Sequence, residues 1–410
     1  MEKSLALLLT LHSPIHFPHS HSTFATMRPK VLFITRWYPN RVDKLDGNFI
    51  ENHARAVAMF CDLAILHVCA DPSMSDKVFD WEMKQEFGFT VVNVWYRNND
   101  VSKRGLGRVR KFFRYLKATR IGWRLIRESF GLPEVNHVHI FTRPAMPAFY
   151  LKWRHRIPFI ITEHSSHFVY DLPVLFPPLK WFTQFTARSA RYVTVVSKTL
   201  QRAMEDFGFH GNYTIVPNVV FVSGDGVMKS SDSVIRIVAI GGLTDARKNI
   251  AGLIEVFARA QLPRAQLHIV RPVPDSLLQA KAEESGLLNQ TIFFHENLSN
   301  DAVYSLLNDC SFLVVNSLSE TFSMAAAEAL ACGKPVVSTR CGGPEEFIND
   351  ERGKLIDAND PDQLCKALVW MCDHYREFDP KKLKAFVREN YSSEVVGKKF
   401  LQLYEDVLNH

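Results

Sequence analysis

Short apolar runs recur along the first half of the chain: KVLFIT (30–35), DLAILHV (62–68), HVHIF (137–141), FIITEH (159–164), RYVTVVS (191–197) and YTIVPN (213–218). They are rich in Val, Ile and Phe, the composition of strands buried on both faces of a parallel sheet, and helix-length segments separate them. The alternation pauses at SGDGVMKSSDS (223–233), whose Gly, Ser and Asp content reads as a linker. It resumes with IRIVAIG (235–241), QLHIV (266–270), TIFFH (291–295), SFLVV (311–315) and PVVST (335–339), with helical segments such as NIAGLIEVFARA between them. Two such series predict an α/β protein of two doubly wound, Rossmann-like domains facing each other across a cleft. The expected boundaries are 27–220 and 221–385. A last helix around SEVVGKKFLQLYEDVL, within 386–410, is expected to pack back on the pair.

Composition narrows the class. The 410 residues are 47% apolar, which is enough to bury full cores and excludes a disordered chain. Seven cysteines with no C-x-x-C pair argue for reduced thiols and a cytoplasmic setting, not a disulfide or zinc framework. Residues 1–220 carry 29 Lys and Arg against 17 Asp and Glu, and the remainder carries 20 against 26. A basic front half joined to an acidic back half points to different partners for the two domains. No run of eighteen apolar residues occurs, so no helical membrane span is expected. Residues 1–26 read as an upstream-start or disordered extension before Met27. Lys3 followed by LALLLTL keeps a signal peptide open as the alternative.

The stretch NSLSETFSMAAAEALACGKPVVSTRCGGPEEF (316–347) carries the chemistry. Val315 is expected to end a strand, which puts Glu320 in a crevice position beyond its carboxyl end. Thr321 and Ser323 then open a helix whose first amides suit a phosphate or a polar sugar. Ala325, Ala326 and Ala327 allow a close approach. Glu328, two turns beyond Glu320, can accept paired hydrogen bonds from a vicinal diol such as a ribose. On spacing alone, a capping acid and an ordinary surface glutamate explain the pair equally well.

That stretch strongly resembles the E-x7-E region of the retaining glycosyltransferases of family 4, which have the GT-B fold of two facing Rossmann-like domains. The resemblance implies that Glu320 contacts the donor sugar and that the backbone at Thr321, Phe322, Ser323 and Met324 reaches sugar and diphosphate. It implies that Glu328 holds the nucleotide ribose. VAIGGLTDARKNIAGLIEVF resembles the family's phosphate turn, with Lys248 at the phosphate-binding lysine. Gly242 replaces the family arginine, for which Arg247 is a candidate substitute. FITRWYPNRVDKLDGNFIENHARAVA resembles the first strand and glycine loop, with Gly47 matched and Asp46 where a second glycine is common. In NHVHIF and FIITEHSSHF, His164 matches the active-site histidine and His139 is expected to be structural. Asn218 is a hinge-region candidate. Arg271 and Pro272 stand where the family often has Gly-x-Gly, altering the wall near the base. Gly342, Gly343 and Glu346 match a conserved-type turn and acid of that family's pattern. The likeness spans about residues 28–405.

The implied activity is transfer of a sugar from a UDP- or GDP-linked donor with retention, the C-terminal domain binding donor and the N-terminal domain acceptor. The resemblance implies no protein nucleophile, no cofactor beyond the nucleotide-sugar co-substrate, and no required metal; no D-x-D triplet stands at an expected strand end and no zinc-type spacing occurs. KRGLGRVRKFFRYLKATRIGWRLIRESF (103–130) holds ten Lys and Arg against one Glu, with aromatic residues interleaved. Arg108, Arg110, Lys111, Arg114 and Lys117 are expected to form a membrane or acceptor surface on the inner face of an anionic membrane. No nucleic-acid-binding motif is present. The expected acceptor is a glycan or lipid-linked glycan in cell-surface polysaccharide or glycolipid synthesis. A phosphorylase, a nucleotide-sugar epimerase and a non-catalytic nucleotide-sugar-binding protein are the alternatives.

Overall fold

The computed structural model describes residues 28–44, 46–99, 106–165, 167–170, 177–222, 234–242 and 247–410. The extension at 1–26 and the linker at 223–233 lie outside the described residues. The N-terminal half begins β1 (Lys30–Thr35), α1 (Asn48–Ala58), β2 (Asp62–Asp71), β3 (Phe79–Glu86), β4 (Phe89–Arg97), α2 (Leu106–Ser129) and β5 (Val135–His139). It continues α3 (Ala145–His155), β6 (Phe159–Glu163), α4 (His167–Tyr170), α5 (Pro177–Ser189), β7 (Val193–Val195), α6 (Lys198–Asp206) and β8 (Tyr213–Ile215). These eight strands form one sheet in the order β3-β4-β2-β1-β5-β6-β7-β8, parallel except for the β3–β4 pair.

The hairpin of β3 and β4 and the strand β14 (below) were not expected from the pattern. Asp, Glu and Lys alternate with Phe, Trp and Met in β3, an edge strand on which Trp81 and Met83 are themselves exposed. Phe87 and Gly88 join the hairpin, both at positive φ (49° and 85°), the geometry of a tight two-residue turn. Strand β5 stops at His139, two residues before the expected end, because Ile140 turns to a φ of 75°.

The C-terminal half runs β9 (Ile235–Ile240), α7 (Ile250–Ala260), β10 (Ala265–Arg271), α8 (Ser276–Glu284), β11 (Ile292–Glu296) and α9 (Asn300–Asp309). Then come β12 (Phe312–Val315), α10 (Met324–Ala331), β13 (Val336–Thr339), β14 (Gly353–Ile356) and α11 (Pro361–His374). The sheet is β11-β10-β9-β12-β13-β14, all parallel, with strand order reversing between β9 and β12. Ligands bind at such a switch point because the two connections leave in opposite directions and open a crevice.

Two closing helices, α12 (Pro380–Tyr391) and α13 (Ser393–Asn409), start at the caps Asp379 and Ser392, whose side chains accept from Lys381 N and Val395 N. Helix α13 lies against α1 of the N-terminal half. Gly397 makes this possible, since a Cβ there would overlap the Ala56 carbonyl and lie 2.8 Å from the Phe60 ring. Phe400 and Tyr404 enter the core behind β1 and β5. The Tyr404 hydroxyl is 2.6 Å from His137 Nδ1.

That core contains an unusual run of rings: His137 stacks on His139 at 4.2 Å, and His139 on His164 at 5.5 Å. Burial pushes His53 and His67 down to about 4, and His137, His139 and His164 well below the ordinary value. All five are neutral in the folded chain.

Two outcomes are expected. Gly397→Ala should lose about 1–3 kcal/mol in urea unfolding, because the clash with a backbone carbonyl outweighs the gain in helix propensity. Folded histidine values lie below the unfolded value near 6.5, so their contribution is intact above that pH and is lost as pH falls. The cost is about 2 kcal/mol each at pH 5. The raised carboxyls of Asp46, Glu163 and Glu328 act in the opposite sense but are fewer. Calorimetric Tm should therefore drop between pH 7.5 and 5; a flat or rising profile would refute the neutral stack.

Candidate active site between the two sheets

A cavity of about 860 Å³ lies between the two halves. Phe49, Asn52 and His164 line it from the N-terminal half; Lys248, Tyr304, Glu320, Ser323 and Glu328 line it from the C-terminal half. It sits at the carboxyl ends of both sheets, where the loops after β9 and β12 meet.

Those two loops are laced together. Asn316 Nδ2 donates to the Asn249 carbonyl at 2.9 Å, and Leu318 N to the Arg247 carbonyl at 2.7 Å. Lys248 Nζ then donates to Glu320 Oε1 at 2.6 Å, and Ser317 Oγ donates to the same oxygen at 2.7 Å. Both partners of the ion pair are largely shielded, with side chains 22% and 12% exposed. A third loop, after β13, holds Glu320 by its backbone: Glu320 N donates to Cys341 O at 2.7 Å and Gly343 N to Glu320 O at 2.9 Å. Only glycine fits there. A Cβ at Gly342, whose φ is 106°, would come 2.7 Å from Glu320 O, and one at Gly343 would come 2.5 Å from Phe322 Cα.

Helix α10 starts just beyond. Its cap residue Ser323 takes φ 69° and ψ 80°, a left-handed conformation costly for a side-chain-bearing residue, and its side chain makes no capping bond. Its buried Oγ has no partner among the described residues. The first amides of α10 thus face the cavity without a side-chain cap, an arrangement suited to an anion. Thr321 and Met324 also line the cavity. The Phe322 ring turns away to pack on Phe347 and Tyr391, leaving its backbone at the wall. Glu328 stands further along α10. Burial raises its carboxyl to about 7, against the influence of Tyr304 and Lys248.

On the opposite wall, His164 packs against the Phe49 ring at 4.7 Å, with Nε2 3.3 Å from His139 Nδ1. Burial first, and then His53 and His137, lowers its pKa well below the ordinary value and favours the neutral ring. His53, His139 and His164 have donor atoms within 4.8 Å of one another, a grouping that could hold a metal ion and that sequence spacing does not reveal. One nitrogen of each is already engaged, His53 Nε2 with Pro217 O at 3.1 Å and the other two with each other.

Several expected residues have other surroundings. Gly47, at φ 65°, caps α1 and lies so close to Trp37 that a Cβ would be 2.6 Å from its carbonyl carbon; Asn48 and Phe49 after it reach the cavity. Arg247 contributes its carbonyl to the lacing, and its side chain is not among those lining the cavity. Glu346 accepts from Thr199 N at 3.0 Å, tying the β13 loop to α6 across the two halves. Arg271 is buried beside Gly241 and pairs with Asp275 at 2.9 Å. Arg114 corrects the expected basic surface: it is buried and donates to the Arg97 carbonyl at 2.7 Å. Arg108, Arg110, Lys111 and Lys117 remain on α2, near exposed Leu106 and Phe113. Ser317, Tyr304 and Asn249 were missed, since nothing in their sequence spacing marks them.

Comparison with known proteins decides the family. Residues 235–374 match the family model described as glycosyl transferases group 1, and residues 80–223 match that of glycosyltransferase family 4. The chain belongs to the group 1 glycosyltransferase family. An uncharacterized glycosyltransferase of Methanocaldococcus jannaschii is 27% identical over 62% of this chain and 69% of its own length. Two further curated relatives are matched over 43% and 41% of their own lengths. Sucrose-phosphate synthase from Thermosynechococcus elongatus superposes with a TM-score of 0.70 at 18% identity, covering 93% of this chain and 99% of that one. Anabaena HepE in complex with UDP-glucose gives 0.65 at 14% identity, covering 92% and 99%. The fold of this group 1 family chain is GT-B.

The strained cap makes one prediction about the site. Ser323→Gly should gain about 1 kcal/mol in urea unfolding, as the left-handed backbone and the unpartnered hydroxyl cease to cost energy. Equal or lower stability would show that Ser323 is not strained.

Proposed function

We propose that the chain transfers a sugar from a UDP- or GDP-linked donor to a glycan or lipid-linked acceptor, with retention at the anomeric carbon. The observation that carries this reading is the convergence of Lys248, Glu320, the uncapped start of α10 and Glu328 along one wall of the interdomain cavity. Solved relatives that bind UDP and UDP-glucose support a nucleotide-sugar donor.

In this reading the diphosphate lies against the first amides of α10, with Lys248 meeting the charge that develops as the leaving group departs. Glu320 holds the sugar, and Glu328 accepts hydrogen bonds from the ribose diol once a ligand orders it. Glu320 is a positioning acid, because its Oε1 is already occupied by Lys248 and Ser317. The acceptor hydroxyl attacks on the same face that the phosphate leaves, and the departing phosphate takes its proton. Neutral His164 on the facing wall orients the sugar or the acceptor. Closure of the halves excludes water from the activated sugar. With Lys248 and the α10 amides supplying the positive charge, the reaction is proposed to need no metal. The exposed basic and apolar side chains of α2 are proposed to rest on an anionic membrane, at its inner face, where a lipid-linked acceptor in cell-surface polysaccharide or glycolipid synthesis would be met. Among the described residues no helix is long and apolar enough to cross that membrane.

A thermal-shift screen against UDP, GDP, ADP and their sugar conjugates tests the donor site. One nucleotide at 100 times its Kd should stabilise by about 2.7 kcal/mol, and Lys248→Ala and Glu328→Ala should each lose most of that shift. With the donor so identified, Glu320→Ala should lower sugar transfer at least ~100-fold, about 2.7 kcal/mol in barrier. No shift with any nucleotide, or near-normal transfer by Glu320→Ala, would overturn this assignment.

A further inference from the structure

The N-terminal sheet has a switch point of its own. Strand order passes β2-β1-β5-β6, so the connections leaving β1 and β5 diverge and open a crevice beyond their carboxyl ends. Two arginines stand there. Arg36 directly follows β1, and Arg143 follows β5 after a short loop that begins with Ile140 at φ 75°, a conformation a β-branched residue rarely adopts. Thr35 and His139 are register partners, so the two loops leave the sheet side by side.

The arginines are held but not neutralised. Arg36 Nη1 donates to Thr142 Oγ1 at 2.7 Å, beside Arg143, and Arg143 Nη1 lies 3.4 Å from the Tyr96 hydroxyl. Both side chains are exposed, and among the described residues neither forms an ion pair with a carboxylate. Arg41, on the same end of the sheet, differs: it pairs with Asp71 at 2.9 Å and Asp80 at 2.6 Å. The acid beneath the pair, Glu163, already accepts the amides of Phe141, His164 and Ser165. Although the residue as a whole is exposed, partial burial of its head in the crevice, followed by the charge of Arg143, lowers the pKa of Arg36 against the pull of Glu163 and Asp46. Two guanidinium groups kept together oppose folding; Glu163 and Asp46 offset this without bonding to either head, and an oxyanion between the two would reverse the sign of their interaction.

Their position relates to the cavity. Trp37, next to Arg36, packs on Phe49 at 6.3 Å, and Phe49 forms the acceptor-side wall with His164. Neither arginine belongs to the donor wall.

We propose that Arg36 and Arg143 clamp a phosphate group of the acceptor, so that the acceptor class is a phosphate-bearing sugar or lipid headgroup; this rests on the transferase reading above. Guanidinium forks match phosphate oxygens in pairs, which gives orientation as well as attraction.

The test uses the full chain saturated with whichever nucleotide it binds, or without nucleotide if none binds. Isothermal titration measures glucose 6-phosphate against glucose, and in a second arm dihexanoyl phosphatidic acid against dihexanoyl phosphatidylcholine. At least one phosphate-bearing probe should bind, with its neutral or zwitterionic counterpart at least tenfold weaker. Arg36→Gln and Arg143→Gln should each weaken that binding tenfold or more, whereas Lys398→Ala, on the exposed face of α13, should leave it unchanged. Arg36→Lys should retain part of the affinity, since the charge remains while the fork is lost. Binding of the sugar phosphate alone assigns a soluble acceptor, and binding of the lipid alone assigns a headgroup. Failure of both probes, displacement by nucleotide, or equal affinity in the Gln variants would overturn the clamp. Both arginines are exposed, so unchanged melting of the Gln variants is the folding control. The nucleotide shift of the unsubstituted chain reports separately on the transferase reading.

Discussion

Glu320 reaches the cavity only because the loop that carries it and the turn after β13 approach to backbone contact. Gly342 and Gly343 have no Cβ to separate them, and the bonds from Glu320 N to Cys341 O and from Gly343 N to Glu320 O close the gap at 2.7 and 2.9 Å. With the backbone held, the carboxylate meets Lys248 and Ser317 without searching rotamers in water. The same contact sets the start of α10 and forces the left-handed turn at Ser323, which leaves the first amides facing the cavity. A displacement of this contact would move the acid, the cation it pairs with and the helix terminus together.

The opposite wall is held by a different means. His137, His139 and His164 form a stack of neutral rings in which Tyr404 and Thr162 meet the two nitrogens of His137, and His139 and His164 engage one nitrogen each with the other. Tyr404 comes from the last helix, so the end of the chain braces the His164 wall from behind. Glu346, bonded to Thr199, adds a polar tie from the C-terminal half to α6. One wall of the cavity is thus held by backbone contact and ionic pairing, and the other by ring packing.

The charge division along the sequence takes on a spatial meaning in this arrangement. Net positive charge in the first half is concentrated on α2 and at the β1–β5 crevice, whereas Arg41 and Arg114 are consumed internally by Asp71, Asp80 and the Arg97 carbonyl. Arg114 shows why counting charge misleads: its long stem crosses the helix–sheet interface and its head finds a backbone oxygen there.

Unbroken Val, Ile and Phe runs were legible as buried parallel strands, and β3 was not, because an edge strand carries as many charged residues as a loop. Glu320, Glu328 and Lys248 stood out through the family resemblance, since on spacing alone a capping acid and a surface glutamate explain the two acids equally well. Composition and order along the chain thus determined two α/β units, a polar break between them and the residue types available to a site. Only the tertiary structure decided that Lys248 and Glu320 pair across 72 residues, that Glu328 holds its proton to about pH 7, and that His164 is neutral. Pairing and protonation depend on distance through space and on removal of water, and neither quantity is a function of separation along the chain.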